Sequence, residues 1–410
     1  VDYLVATGKY AVTGRFQGGA NAGHTVINDR GRFVLHLLPS GVLDDTVLNV
    51  LGSGVALDMV ALFRELDELA AQGITPQLRV SDRANLLLPL HKLLDVAEEE
   101  RLGQAQFGST RSGIAPFYSD VARKRAVQVA DLWDEAALRE QLAAALVQHN
   151  ALLEHLYHRE TIDVGRLVDD LLSLRERLAP FVVDTKKVMR EQLAAGNNIL
   201  CEGQLGTLKD VWHGMYPLTT SSCVLAANAA IGGDVPLGSI REVIAVTKAY
   251  SSAVGAGYMV SQYSGEEAET LRKVGGDRGE YGATTGRPRE VGAFDTVGTR
   301  YGVQTQGATQ VALTCLDVLG YQENIPVCVA YEIDGKRVED YPHITELKKA
   351  KPIYEMMPGW NVPKEKLAAY DTWEKLPPNC RRYVEFIEQQ IGVPVTLVSI
   401  GPKREQLICR

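Results

Sequence analysis

The chain has 410 residues, 45% of them apolar and 23% charged, with a formal net charge of −8 at pH 7. That length and apolar share can bury a large core, and the acidic balance excludes a general polyanion binder, because nucleic-acid affinity needs a broad basic footprint. No run of about 18 apolar residues and no charged-then-apolar leader pattern occurs, and six scattered cysteines without C-x-x-C spacing read as free thiols; the expectation is a cytoplasmic protein with neither membrane nor nucleic-acid partners.

In chain order, a strand-like Tyr10-Ala11-Val12 precedes Gly18-Gly19-Ala20-Asn21-Ala22-Gly23-His24-Thr25. Glycines permit positive φ and close approach, so such a turn can bring backbone amides and an imidazole up to phosphate. Alone it is equally a tight turn. Short apolar runs at 33–38 and 47–51 read as strands. From about 90 to 195 the chain is Leu/Ala-rich and helical in pattern. Asp134 is predicted to cap a helix whose Leu138, Leu142, Leu146, Leu153 and Leu156 form a core stripe, a dimer face being the minor alternative. Within this region lie Gly113-Ile114-Ala115-Pro116 and the basic run Arg123-Lys124-Arg125, a solvated surface or a reach toward phosphate. His155 and His158 share a helix face, but two histidines without a third ligand do not make a metal site.

Further strands are predicted at 199–201, 243–246, 311–316, 327–331 and 395–400, several ending in Gly, Asp or Glu, as buried strands do when ligand loops follow their carboxyl ends. Glu202-Gly203-Gln204-Leu205-Gly206-Thr207 is one such loop, and a hydroxyl cluster follows at 219–222. In Gly282-Ala283-Thr284-Thr285-Gly286-Arg287-Pro288-Arg289 two guanidiniums stand two residues apart, suited to a doubly anionic substrate or to a basic surface loop. Asp317, after its strand, can accept from N1–H and the 2-amino group of guanine, or close a local turn. Asp334-Gly335 signals a hairpin. Asn379 is predicted to cap a helix carrying Tyr383, Phe386, Ile387 and Ile391, stopped by Gly392 and Pro394. Gly401-Pro402-Lys403-Arg404 repeats the strand-to-glycine-loop arrangement. The expectation is an α/β fold, one large domain over 1–410 around a central mixed, mostly parallel sheet, with a helical insertion at about 90–195.

Taken together and in order, GGANAGHT, GSTRSGIAP, EGQLGTLKDVWHGMYPLTTSS, TKAYSSAVGAG, GEYGATTGRPRE, LDVLG, MPGW and SIGP resemble the adenylosuccinate synthetase family, over essentially the whole chain. The resemblance implies a homodimeric ligase of purine biosynthesis that joins IMP and L-aspartate using GTP and Mg²⁺ through 6-phosphoryl-IMP. It implies that His24 and Gln204 serve catalysis, and that Asn21, Ala22, Gly23, Thr110, Lys124, Thr220 and Arg287 contact IMP. The Gly23 carbonyl would also hold Mg²⁺. Ala283, Thr284, Thr285, Gly286, Arg287 and Arg289 fall on the aspartate site. Arg289, Cys315, Leu316, Asp317, Ser399, Ile400 and Gly401 fall on the GTP site.

Four departures accompany the resemblance. The family's N-terminal phosphate loop, GDEGKGK, with its Asp base and a Mg²⁺ ligand, is expected immediately before Val1. The family's EGAQG reads EGQLG here, so the glutamine moves by one position. The lysine two residues before the guanine-reading Asp is Cys315. The arginine given across the dimer aligns with Lys124, with Arg123 and Arg125 as neighbours that a small shift would bring in. Rival expectations are a non-catalytic purine-nucleotide-binding homologue and a ligase for a 2-amino purine monophosphate.

Overall fold

A computed structural model describes residues 1–282 and 286–410. Its residues group into two compact units, Val1–Thr25, Val34–Leu205 and Thr220–Ile240 in the first, and Val26–Phe33, Gly206–Thr219 and Arg241–Arg410 in the second. Each unit is built on a mainly parallel sheet with helices around it, the α/β class expected from the sequence.

The first unit holds a five-stranded, wholly parallel sheet in the order Val182–Val183, Gln77–Ser81, Leu48–Leu51, Val12–Arg15, Ile199–Glu202. Val12, Val50, Leu51 and Val80 are wholly buried, as strands covered on both faces require. The predicted strand at 33–38 stops earlier, at Leu35, because the amides of His36, Leu37 and Leu38 turn instead to the carboxylate of Glu65, at 3.0, 3.0 and 3.1 Å. The helical region contains Pro89–Leu102, Ile114–Ala122, Glu135–Ala151, Val164–Leu178 and Thr185–Ala194, and also the two-residue edge strand Val182–Val183, too short to leave a periodic signal. Asp134 caps as expected, its side chain accepting from the Ala137 amide at 3.0 Å. Leu138, Leu142, Leu146 and Leu153 are buried, but Leu156 is 46% exposed, because the helix widens to a π turn over Leu152–Leu156 and the stripe rotates off the core.

The second unit's principal sheet runs Ile244–Lys248, Gln310–Thr314, Val395–Ser399, Leu407–Cys409, the first three parallel. The strand predicted to reach Leu316 ends at Thr314, since Cys315 takes a left-handed φ of +59° that no strand continues through. A second sheet centres on Asn324–Ile333, paired antiparallel with Lys351–Pro358 and with Lys336–Val338 across the Asp334-Gly335 turn. Both turn residues have positive φ, 49° and 77°, as a two-residue hairpin requires. The last long helix, Pro378–Ile391, buries Tyr383, Ile387 and Ile391 and ends on Gly392 at φ +73°. Asn379 is not its cap: Pro377 occupies that position and the Asn379 amide donates to the Gly359 carbonyl at 2.7 Å.

Candidate active site

In the first unit the register of Val12–Arg15 against Ile199–Glu202 sets Arg15 beside Glu202 at the carboxyl edge of the sheet, where ligand loops of parallel sheets emerge. Both are buried, and Arg15 Nη1 lies 4.0 Å from Glu202 Oε1. Ser40 donates to Glu202 twice, from its amide at 2.7 Å and its hydroxyl at 2.8 Å. Burial opposes the charge on Glu202, but His24, Arg15 and the Ser40 amide outweigh it and hold the carboxyl below its ordinary range. His24 opens the strand His24–Asn28, with Nε2 3.6 Å from Glu202 Oε1. That nitrogen is buried and, among the described residues, has no hydrogen-bond partner. Burial lowers the affinity of the ring for a proton, Glu202 only partly offsetting it, so His24 titrates below the ordinary imidazole value.

Gln204 ties this edge to the glycine turn. Its Oε1 accepts from Arg15 Nη2 at 2.7 Å, and its Nε2 donates to Asn21 Oδ1 at 2.9 Å. Gln17 Nε2 donates to its carbonyl at 2.7 Å, and the Ser222 hydroxyl donates to Gln17 Oε1 at 3.1 Å. Asn21 Oδ1 also accepts from the Gly19 amide at 3.2 Å, which fixes the turn leading to Ala22, Gly23 and His24. Gly18, at φ +71°, has no room for a side chain: a Cβ there would sit 1.6 Å from Gln204 Nε2. Leu205, which follows Gln204, is left-handed at φ +68° and its side chain is exposed.

The loop carrying Thr110 is latched to the helix Pro89–Leu102. Glu99 accepts the amides of Phe107, Gly108 and Ser109 at 3.0, 3.0 and 3.1 Å, and Asp95 accepts the Ser109 hydroxyl and, at 2.8 Å, the Gly113 amide. Thr110 Oγ1 donates to Ser112 Oγ at 3.0 Å. Helix Ile114–Ala122 leads from this loop to the basic turn. There Arg125 donates to Gln148 Oε1, whereas Arg123 and Lys124 are exposed, Lys124 at φ +61°. Thr220 is half-buried, two residues before Ser222.

In the second unit Lys248, Cys315 and Ser399 stand at the carboxyl ends of three adjacent parallel strands. Leu316 and Asp317 are buried on the turn Leu316–Tyr321, the Ser399 hydroxyl donates to the Gly401 carbonyl at 2.8 Å, and the Ile400 amide to Gln406 at 2.9 Å. Arg289 Nη1 donates to Glu280 Oε2 at 2.8 Å. The same wholly buried carboxylate takes Lys248 Nζ at 2.7 and 2.9 Å and the Tyr250 hydroxyl. The guanidinium is thus aimed from within. The Gly286 amide donates to the Gly282 carbonyl and the Gly282 amide to the Arg287 carbonyl, both at 2.8 Å. Ala283, Thr284 and Thr285 lie outside the described residues.

Several contributors are given no role by the sequence reading. Arg15, Glu202 and Glu280 are charged residues that the fold buries, and the partly exposed Lys248 is paired to Glu280. Arg15, Glu202 and Lys248 close apolar strand runs, and that placement is the one signal the sequence offers for them.

A family model described as adenylosuccinate synthetase matches residues 1–408. The adenylosuccinate synthetase of Acidothermus cellulolyticus is 44% identical over 410 residues, covering 99% of this chain and 94% of the relative. That of Streptomyces griseus is 42% identical, covering 100% and 92%. The structure of the fully ligated adenylosuccinate synthetase from Plasmodium falciparum superposes with a TM-score of 0.91 at 28% identity, covering all of this chain and 95% of that one. The cyanophage S-2L succinoaminodeoxyadenylate synthetase, at TM-score 0.59 and 20% identity, shares the fold. These matches define a ligase that forms a C–N bond. The chain belongs to the adenylosuccinate synthetase family. Its reaction is the GTP-dependent joining of IMP and L-aspartate in purine biosynthesis, and none of these likenesses favours a non-catalytic homologue or a 2-amino purine monophosphate ligase.

Proposed function

We propose that His24 is the acid of this ligase, stabilising charge on the nucleotide phosphates while IMP O6 takes the γ-phosphoryl group. The supporting observation is its buried Nε2, without a hydrogen-bond partner among the described residues, beside the ionised Glu202 at the end of a glycine turn. The N1 proton passes to the carboxylate base that the family resemblance places before Val1, and the O6 so charged bonds to the γ-phosphorus as the bond to the β–γ bridging oxygen breaks and GDP leaves. The amine of aspartate then bonds to C6, the C6–O6 bond breaks with phosphate leaving, and the nitrogen sheds its extra proton. An in-line transfer of this kind asks positioning and charge neutralisation of the protein.

Asn21 to Gly23, Thr110, Thr220, Lys124 and Arg287 are assigned to IMP, with Gln204 catalytic by holding Arg15 and Asn21 in place. Ala283 to Arg287 together with Arg289 are assigned to aspartate, and Arg289, Cys315 to Asp317 and Ser399 to Gly401 to GTP. Among the described residues no group of three or more His, Cys, Asp or Glu forms a metal cage. One carbonyl, that of Gly23, fits a magnesium ion held otherwise by phosphate and water oxygens, where it would neutralise phosphate charge. The single domain of 1–410 with its helical insertion at 90–195, the homodimer and the cytoplasmic setting complete the reading; among the described residues no helix is long and apolar enough to cross a membrane.

Replacing His24 with Ala tests the central assignment. The expected result is a fall in kcat of about 10²–10⁴-fold, the range for a positioned acid, with the KM for IMP changed much less. Equal turnover by variant and parent removes His24 from the mechanism.

A further inference from the structure

Asp317 carries an unusual burden in the second unit. Its side chain is 4% exposed, and Lys364 Nζ stands 3.7 Å from Oδ2. Lys364 opens the short helix Lys364–Leu367 and is itself tethered, donating to the carbonyls of Val274 and Gly276 at the end of helix Gly265–Val274. A helix C-terminus favours a cation, so the two carbonyls hold the ammonium in place 3.7 Å from the Asp317 carboxylate.

We infer that Lys364 is a specificity-positioning residue, keeping Asp317 ionised and oriented so that both donors of a guanine edge find an acceptor. This rests on the assignment of Asp317 to the base of GTP. A carboxylate accepts from N1–H and the 2-amino group together only when deprotonated; protonated, it presents a donor to one of them. Burial raises the Asp317 carboxyl above its ordinary value, Lys364 pulls it down, and Glu365 pushes it up again. Cys315, the other titratable neighbour, is held as a thiol by its own burial, with Lys248 and Glu280 acting on it in opposite senses. Removing the Lys364 charge therefore takes away the largest influence opposing burial and Glu365, and the protonation of Asp317 moves to higher pH.

The test compares Lys364→Gln, which keeps amide hydrogens for the two carbonyls but loses the charge, with Lys364→Arg and the parent. The expected result for Lys364→Gln is a KM for GTP that stands above the parent's at pH 6.5 and rises further as pH falls, the direction in which a carboxylate that has lost its cation protonates. The gap should close toward pH 8.5, with kcat and the KM for IMP little changed and Lys364→Arg restoring the parent profile. A KM for GTP that matches the parent at every pH overturns the inference. So does a uniform loss of kcat that no pH relieves and Arg does not rescue. Asp317→Asn, assayed with GTP and xanthosine triphosphate, examines the underlying assignment separately. A shift of preference toward xanthosine triphosphate with no Lys364 effect sinks only the present inference, whereas an unaltered preference sinks the assignment of Asp317 to guanine and the inference with it.

Discussion

Gln204 shows how one side chain can substitute for a motif. Its carbonyl oxygen is spent on Arg15 and an amide hydrogen on Asn21, so a truncation frees two partners at once. Gln204→Ala leaves the buried Arg15 with one donor group unanswered and lets the Asn21 turn drift. The expected loss is about 1–3 kcal/mol of stability, read as a lowered Tm, since an unsatisfied buried donor costs its full desolvation. Catalytic efficiency should fall more steeply than stability, and Gln204→Glu, which keeps the acceptor for Arg15, should restore Tm better than kcat. A Gln204→Ala enzyme with parental kcat/KM would show the relay to be ornamental. The sequence made His24, Arg287 and Asp317 visible because a histidine in glycines and acids or bases at loop starts stand out. It hid Arg15 and Glu280, whose meaning comes from partners 189 and 9 or more residues away that only the fold brings together.

The helix Ile114–Ala122 joins the Thr110 loop to the basic turn, and one buried carboxylate fixes it. Asp120 Oδ2 accepts from His91 Nε2 at 3.1 Å and from His149 Nε2 at 2.8 Å, His91 being set in that tautomer by the Leu88 amide on Nδ1 at 3.0 Å. Burial works to raise the Asp120 carboxyl, but the two histidine hydrogen bonds overcome it and depress it well below its ordinary value. A depressed carboxyl contributes stability that is complete above its unfolded value of about 3.9 and is lost as pH falls below it. Asp120→Asn should therefore lower stability at pH 7 by about 1.5–3 kcal/mol, the range for hydrogen bonds to a charged acceptor, and flatten the acid limb of the denaturation curve between about pH 4 and 2. Urea titrations at several pH values measure both. Element boundaries were less legible than element types: the strands at 33–38 and 311–316 ended early where Glu65 captured three amides and where Cys315 turned left-handed, events with no local sequence mark.

At the scale of the molecule, the family and the α/β class were readable because eight loop motifs recur in order, each too weak alone. The division of the parallel strands between two separate sheets, one in each unit, was not readable, since strands of both look alike as apolar runs. The proposed homodimer gives the basic turn its test. Arg125 is engaged by Gln148 of its own chain, which leaves Arg123 and Lys124 exposed. If Lys124 serves a neighbouring subunit, a His24→Ala chain mixed one to one with a Lys124→Ala chain forms hybrids with one intact centre. Activity should then recover to about a quarter of the parental value, by random pairing in a two-fold dimer. No recovery on mixing would confine Lys124 to its own subunit.

The poor proton affinity of the His24 ring carries a thermodynamic signature beyond turnover. A nucleotide phosphate arriving beside that ring adds negative charge and draws a proton onto it, so complex formation takes up hydrogen ions from solution and tightens as the medium becomes more acidic, by reciprocal linkage. Calorimetric titration with IMP and a GTP analogue should then give a less exothermic heat in Tris than in phosphate, because Tris absorbs more heat on surrendering its proton. The difference should vanish in His24→Ala.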